Sequence, residues 1–274
     1  MSFWAFLLMM AISLGIVAVI CIVSERLAKG YVPIMIAAVL AGVTIIADIT
    51  ASAKLIELNF FGWELVTTAG IFAFPVILLG FDYLNEFYGK DAAKIGVWGG
   101  FMAKVYMALM LPLLLSDFLP AAGFALELQD ASRIALAQGA RIGIASIIAY
   151  FLSGFTNVYV YSYVNKLTKG TKKTIWIRNN VSSNVAMLFD SILFILLAFA
   201  FTLPWPVVFA MIWAGVILKW LCNWLDTIFL YAMYWFKENG IISGEHHKKH
   251  KDGDDISHSC PHCGYYGKED AKIS

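Results

Sequence analysis

The chain has 274 residues, of which 60% are hydrophobic, 15% aromatic and only 14% charged, with a mean hydropathy of +0.74. That composition excludes an ordinary soluble domain. A formal net charge of +1 provides no field for a polyanion, so nucleic acid is not an expected partner, and the informative quantity is where the 20 Lys and Arg sit.

A hydrocarbon core about 30 Å thick takes roughly 20 apolar residues of helix. Seven such stretches follow one another, at 3–23, 32–53, 69–87, 95–115, 134–164, 179–201 and 207–236. The first has no basic residue ahead of its apolar run and no small-residue cleavage site after it, so it reads as a retained helix rather than a signal peptide. The predicted fold is an all-α polytopic membrane protein, with a transmembrane domain at 1–236 and a polar tail at 237–274.

Basic residues gather in alternate loops. Arg26 and Lys29 follow the first span, Lys90 and Lys94 the third, and Lys166, Lys169, Lys172, Lys173 and Arg178 the fifth. Six more lie beyond the seventh span, whereas the opposite side carries only Lys54 and Arg133. Cytoplasmic loops hold the excess of positive charge. The expected orientation therefore has the N-terminus outside and the C-terminus cytoplasmic, in the cytoplasmic (inner) membrane. Residues 116–133 mix Asp117, Glu127 and Asp130 with apolar positions, as an amphipathic segment at the outer interface would.

Ionisable groups at membrane depth are costly unless they face a partner or a wet cavity, so each is a functional candidate. Asp82, Asn85 and Glu86 in the third span stand at i, i+3 and i+4 and project from one helical face. The sixth opens with Arg178, Asn179 and Asn180 and continues to Asp190, and the seventh carries Lys219, Asn223 and Asp226 as one stripe. A shared polar cavity is the economical reading. The alternative is that Asp82 or Glu86 pairs with Lys219 or Arg178 only to lock helices together. Asp48, Lys104 and Arg141 are single charges in other spans, with Lys104 expected to meet a carboxylate or carbonyl, and Pro75 is expected to kink or break the third span just ahead of Asp82.

These residues carry a resemblance. AGIFAFPVILLGFDYLNEFYGKDAAK at 69–94, RIGIASIIAYFLSGFTNV at 141–158, WIRNNVSSNVAMLFDSILF at 176–194 and the Lys219 to Thr227 stretch resemble the queuosine precursor transporter family, also called the vitamin uptake transporter family, over about 30–235. The resemblance implies a six-helix transporter core with an added N-terminal helix, importing a 7-deazaguanine such as preQ0, preQ1 or queuine. A deazaguanine edge offers N1–H and an exocyclic amine to a carboxylate, from Asp82, Glu86, Asp190 or Asp226, and an O6 to an Asn, Arg or Lys donor. Phe74, Tyr88 and Trp220 are candidates for stacking. One departure stands out: the family pattern has a Ser-Gln pair just before the sixth-span Asp, where this chain has Ala186 and Met187.

The tail contains HHKKH at 246–250, then His258, Cys260, His262 and Cys263. Cys-Pro-His-Cys-Gly has the shape of half a zinc knuckle, with His258 and His262 as further ligands for a tetrahedral site. Zinc in this tail is an expectation; the transport reading itself requires no cofactor. The expected partners are a small heterocyclic base and the lipid bilayer, and a homo-oligomer is compatible with them. No nucleotide loop, HExxH or GxSxG motif is present, and no nucleophile stands beside a base, so the chain reads as a transporter rather than an enzyme. A transporter of another purine-like or vitamin-like heterocycle, or a metal transporter with a His/Cys sensing tail, are the competing readings.

Overall fold

The computed structural model describes residues 3–28, 30–60, 63–116, 123–136, 140–201 and 203–242. The sequence-predicted metal ligands Cys260, Cys263, His258 and His262 lie outside them, as does the side chain of Arg141. Among the described residues seven helical segments are long and apolar enough to cross a membrane. They are α1 (Phe3–Leu27), α2 (Val32–Ala53), α3 (Phe74–Phe87, extended backwards by a 3-10 turn at Ala69–Phe72), α4 (Lys90–Leu114), α6 (Ala140–Leu167), α7 (Ile175–Phe199) and α8 (Trp205–Glu238). The short α5 (Leu126–Leu136) lies between α4 and α6.

The first helix illustrates how a sequence apolar on every side still has an inside. Phe6, Met10, Leu14, Val17 and Cys21 recur every three or four residues and are buried, while Trp4, Leu8, Ile12, Ile16, Val19 and Val23 are exposed. Both faces are apolar because one meets protein and the other lipid. The third span departs from this pattern. Residues 75 to 85 are buried without interruption, because α3 packs against α1, α2, α4, α6 and α8 and is the axis of the bundle. Pro75 stands in the first turn of α3, just after the 3-10 segment, where a missing N–H removes no helical hydrogen bond. The third span thus passes from 3-10 to α geometry at Ala73, and from there α3 runs without interruption through Asp82.

Two differences from the sequence reading concern the connections. Leu55–Phe60 (β1) and Trp63–Thr68 (β2) pair as an antiparallel hairpin, with Leu55 opposite Thr68 and Phe60 opposite Trp63. An all-helical reading omitted it, although Ile56, Leu58 and Phe60 alternate with Glu57 and Asn59 as a half-buried strand requires. Ile134, expected to begin the fifth span, belongs instead to α5. Arg133 on α5 donates from Nε to the Leu115 carbonyl at 2.5 Å, tying α5 to the end of α4. The connection between α3 and α4 is two residues long, and Gly89 makes it with φ of 90°, a region closed to most side chains.

Candidate functional site

Polar side chains are stacked in layers along the interior of the bundle, each joining two or more helices. At one end, Arg178 and Glu86 form a bidentate ion pair, Nη2 to Oε1 at 2.5 Å and Nε to Oε2 at 2.9 Å. Arg178 Nη1 donates to the Thr171 carbonyl at 2.8 Å and to Thr174 Oγ1 at 3.1 Å, and Tyr161 donates to Glu86 at 2.8 Å. Side-chain exposure is 0% for Arg178 and 5% for Glu86. The pair fastens α3 to α6 and α7 with its hydrogen-bonding capacity nearly filled, the locking arrangement that the sequence had offered as the alternative.

One turn deeper, the Asp82 carboxylate accepts from Asn157 Nδ2 at 2.7 Å and from Ser183 Oγ at 2.9 Å. Asn85 donates to the Val158 carbonyl at 3.0 Å and accepts from Ser162 at 3.1 Å. Asp82, Asn85 and Glu86 therefore all turn towards α6, as their spacing requires. On the facing helices, Asn179 and Asn180 both donate to Thr227 Oγ1, at 2.9 and 2.8 Å. Asn223 donates to Asn180 Oδ1 at 3.2 Å and to Asn184 Oδ1 at 2.9 Å. Asp226 is fully buried, and neither of its carboxylate oxygens has a hydrogen-bond partner among the described residues.

Beyond this amide layer, Lys219 Nζ meets Asp190 Oδ2 at 2.5 Å and Ser191 Oγ at 3.2 Å, and Ser153 Oγ donates to Asp190 Oδ1 at 3.4 Å. The ammonium also stands 4.2 Å from the centroid of the Phe74 ring at the start of α3. Lys219 and Asp190 retain 14% and 11% side-chain exposure, more than the Arg178 and Glu86 pair. A last layer joins Lys104 to Asp48 at 2.5 Å, with Ser146 donating to Asp48 at 2.9 Å, so Lys104 meets the carboxylate expected of it. The stripe of Lys219, Asn223 and Asp226 divides accordingly: the first two engage α7, and the third has no hydrogen-bond partner among the described residues.

Sequence reasoning passed over Asn157, Tyr161, Ser153, Ser183 and Asn184, which complete these layers. It also passed over Glu25, buried in α1, which accepts hydrogen bonds from Tyr83 at 2.5 Å and from Tyr88. Asn157 and Tyr161 stand one turn apart on α6, opposite Asp82 and Glu86 one turn apart on α3, and that matched spacing is the signal that could have found them. Of the aromatic candidates, Phe74 lies against Lys219, Tyr88 is engaged by Glu25, and Trp220 is 38% exposed on the lipid-facing side.

Seven apolar spans around a polar interior define a multi-pass membrane protein of the kind that moves solutes. Residues 68–233, more than half of the chain, match the family described as "Putative vitamin uptake transporter", and the chain belongs to that family. It is also 27% identical over 191 residues to the "Probable queuosine precursor transporter" of Bacillus subtilis (strain 168), a match covering 68% of this chain and 79% of that protein. No solved structure matches it.

Proposed function

We propose that the chain imports a 7-deazaguanine precursor of queuosine, preQ0, preQ1 or queuine, across the cytoplasmic membrane, and that the base is read between α3, α7 and α8. The observation that carries this reading is the Asp190 and Lys219 pair beside Phe74. It sets a carboxylate acceptor next to an ammonium donor with an aromatic face alongside, all at membrane depth and still partly exposed. A deazaguanine edge presents the complement: N–H donors for Asp190, an O6 acceptor for Lys219 and a flat ring for Phe74. Asn180, Asn184 and Asn223 supply further amide groups one layer away. The description of the Bacillus subtilis relative as a probable queuosine precursor transporter supports the same substrate class.

The test is the queuosine content of tRNA in a bacterial host lacking both precursor synthesis and its own importer, expressing this chain and fed each base in turn. Wild type is expected to restore queuosine, and Asp190→Ala and Lys219→Met to abolish it at equal membrane abundance. Properly inserted protein that restores none with any of the three bases would overturn the substrate assignment. The second reading, import of another purine-like or vitamin-like heterocycle, would then take its place. It is favoured by Ala186 and Met187, both fully buried four and three residues before Asp190, where the family pattern has a Ser-Gln pair able to hydrogen bond a base.

A further inference from the structure

The orphaned polar atoms of the amide layer are all acceptors. Both carboxylate oxygens of Asp226 and the Oδ1 atoms of Asn157, Asn179 and Asn223 are buried without a donor, and all four residues are 0% exposed. They belong to one neighbourhood. Asn179 is bonded to Thr227, the residue after Asp226, and Asn223 stands one turn before it. Asn157 is bonded to Asp82, and Asp82 also accepts from Ser183, which stands one turn after Asn179 on α7. Two buried carboxylates on adjoining helices, with unpartnered amide oxygens on α6, α7 and α8, lack positive charge rather than another acceptor.

The cations nearby are committed elsewhere, save Lys237 of α8, which has no hydrogen-bond partner among the described residues and stands 5.0 Å from the Phe87 ring, eleven residues beyond Asp226. The buried Cys222 thiol lies one turn before Asp226. Arg178 of α7 is bound to Glu86, Lys219 of α8 to Asp190, and Lys104 of α4 to Asp48. Glu25 of α1 is engaged by Tyr83 and Tyr88, and Tyr161 of α6 by Glu86. We infer that Asp82 and Asp226, with the oxygens of Asn157, Asn179 and Asn223, form a binding site for a monovalent cation, a proton or Na+, whose movement is coupled to that of the transported base. Four helices supply the ligands, α3, α6, α7 and α8, and three of these, α3, α7 and α8, also hold Phe74, Asp190 and Lys219. Filling the cation site therefore acts on the elements that read the base. The coupling rests on the import reading; the cation site does not.

The experiment measures both on full-length purified protein. Thermal unfolding in detergent, without base, is followed as Na+ replaces choline at constant ionic strength, and separately as sodium-free buffer is acidified. Uptake of labelled deazaguanine is then followed in proteoliposomes with an inward gradient of each cation. One cation is expected to raise the wild-type Tm by about 5–10 °C near saturation. Its gradient is expected to accelerate uptake, and both responses should vanish in Asp226→Asn, which keeps the side-chain shape and removes the charge. Asp82→Asn serves as the second variant if that protein fails to fold. Sodium and the proton are distinguished by which arm responds. A Tm that neither cation moves, or that moves equally in Asp226→Asn, overturns the site, and base uptake in that case leaves the import reading intact. A cation response lost in Asp226→Asn without uptake of any base leaves the cation site standing and overturns the import reading.

Discussion

Arg178 and Glu86 make clear what a charge inside this bundle needs. Each is buried and bound by the other through two hydrogen bonds, with Tyr161, Thr171 and Thr174 taking up remaining capacity. Removing one member strands the other. Arg178→Met is expected to cost about 3–5 kcal/mol, and the double change Arg178→Met with Glu86→Leu to recover most of it, because the desolvation penalty leaves with both charges. Thermal unfolding of Arg178→Met, Glu86→Leu and the double variant in detergent checks this; equal losses in single and double variants would show that the pair is not the unit of stability. Both residues were legible in the sequence, since a charge in an apolar span always asks for an explanation. Their pairing was not, because Arg178 lies 92 positions from Glu86 and Lys219 was an equal contender from sequence alone.

Among the helices, α4 depends on its glycines for how closely it approaches its neighbours. A Cβ added at Gly100 would lie 1.8 Å from the Tyr150 hydroxyl and 2.5 Å from its ring carbon, and one at Gly96 would meet Leu84 and Phe81 at 3.1 and 3.3 Å. Small residues let membrane helices pack backbone to side chain without voids. Gly100→Ala is expected to push α4 away from α6 and cost about 1–3 kcal/mol by overpacking. Adding Tyr150→Phe should restore only part of the loss, since the ring carbon stays too near; full restoration in a melting experiment would mean that the hydroxyl alone sets the spacing. The second and third spans could be read from composition to the residue, whereas α4, α6 and α7 begin at Lys90, Ala140 and Ile175 rather than at 95, 134 and 179. The β1–β2 hairpin could not be separated from a plain loop by hydropathy, because its signal is alternation over six residues between two long apolar spans.

For the molecule as a whole, the contrast is between a lipid-facing shell and an interior of polar layers running along α3, α6, α7 and α8. On the import reading proposed above that interior suffices, so a chain ending at residue 242 is expected to support wild-type queuosine levels in the tRNA assay. Loss of import on truncation, restored by zinc-loaded full-length protein alone, would assign the tail and its Cys260, Cys263, His258 and His262 to control of transport.

The amino-acid sequence by itself determined the membrane as the solvent, the number of spans and many of the polar residues that face inwards. Each follows from a local cost: roughly 20 apolar residues to cross the core, or several kcal/mol for an exposed charge in lipid. Only the tertiary structure decided which of those polar residues satisfy one another. Arg178 closed on Glu86, Lys219 on Asp190 and Lys104 on Asp48, and Asp226 was left without a hydrogen-bond partner among the described residues. Partnership depends on the depth and rotation of helices far apart in the chain, set by packing around α3, and no single span encodes it.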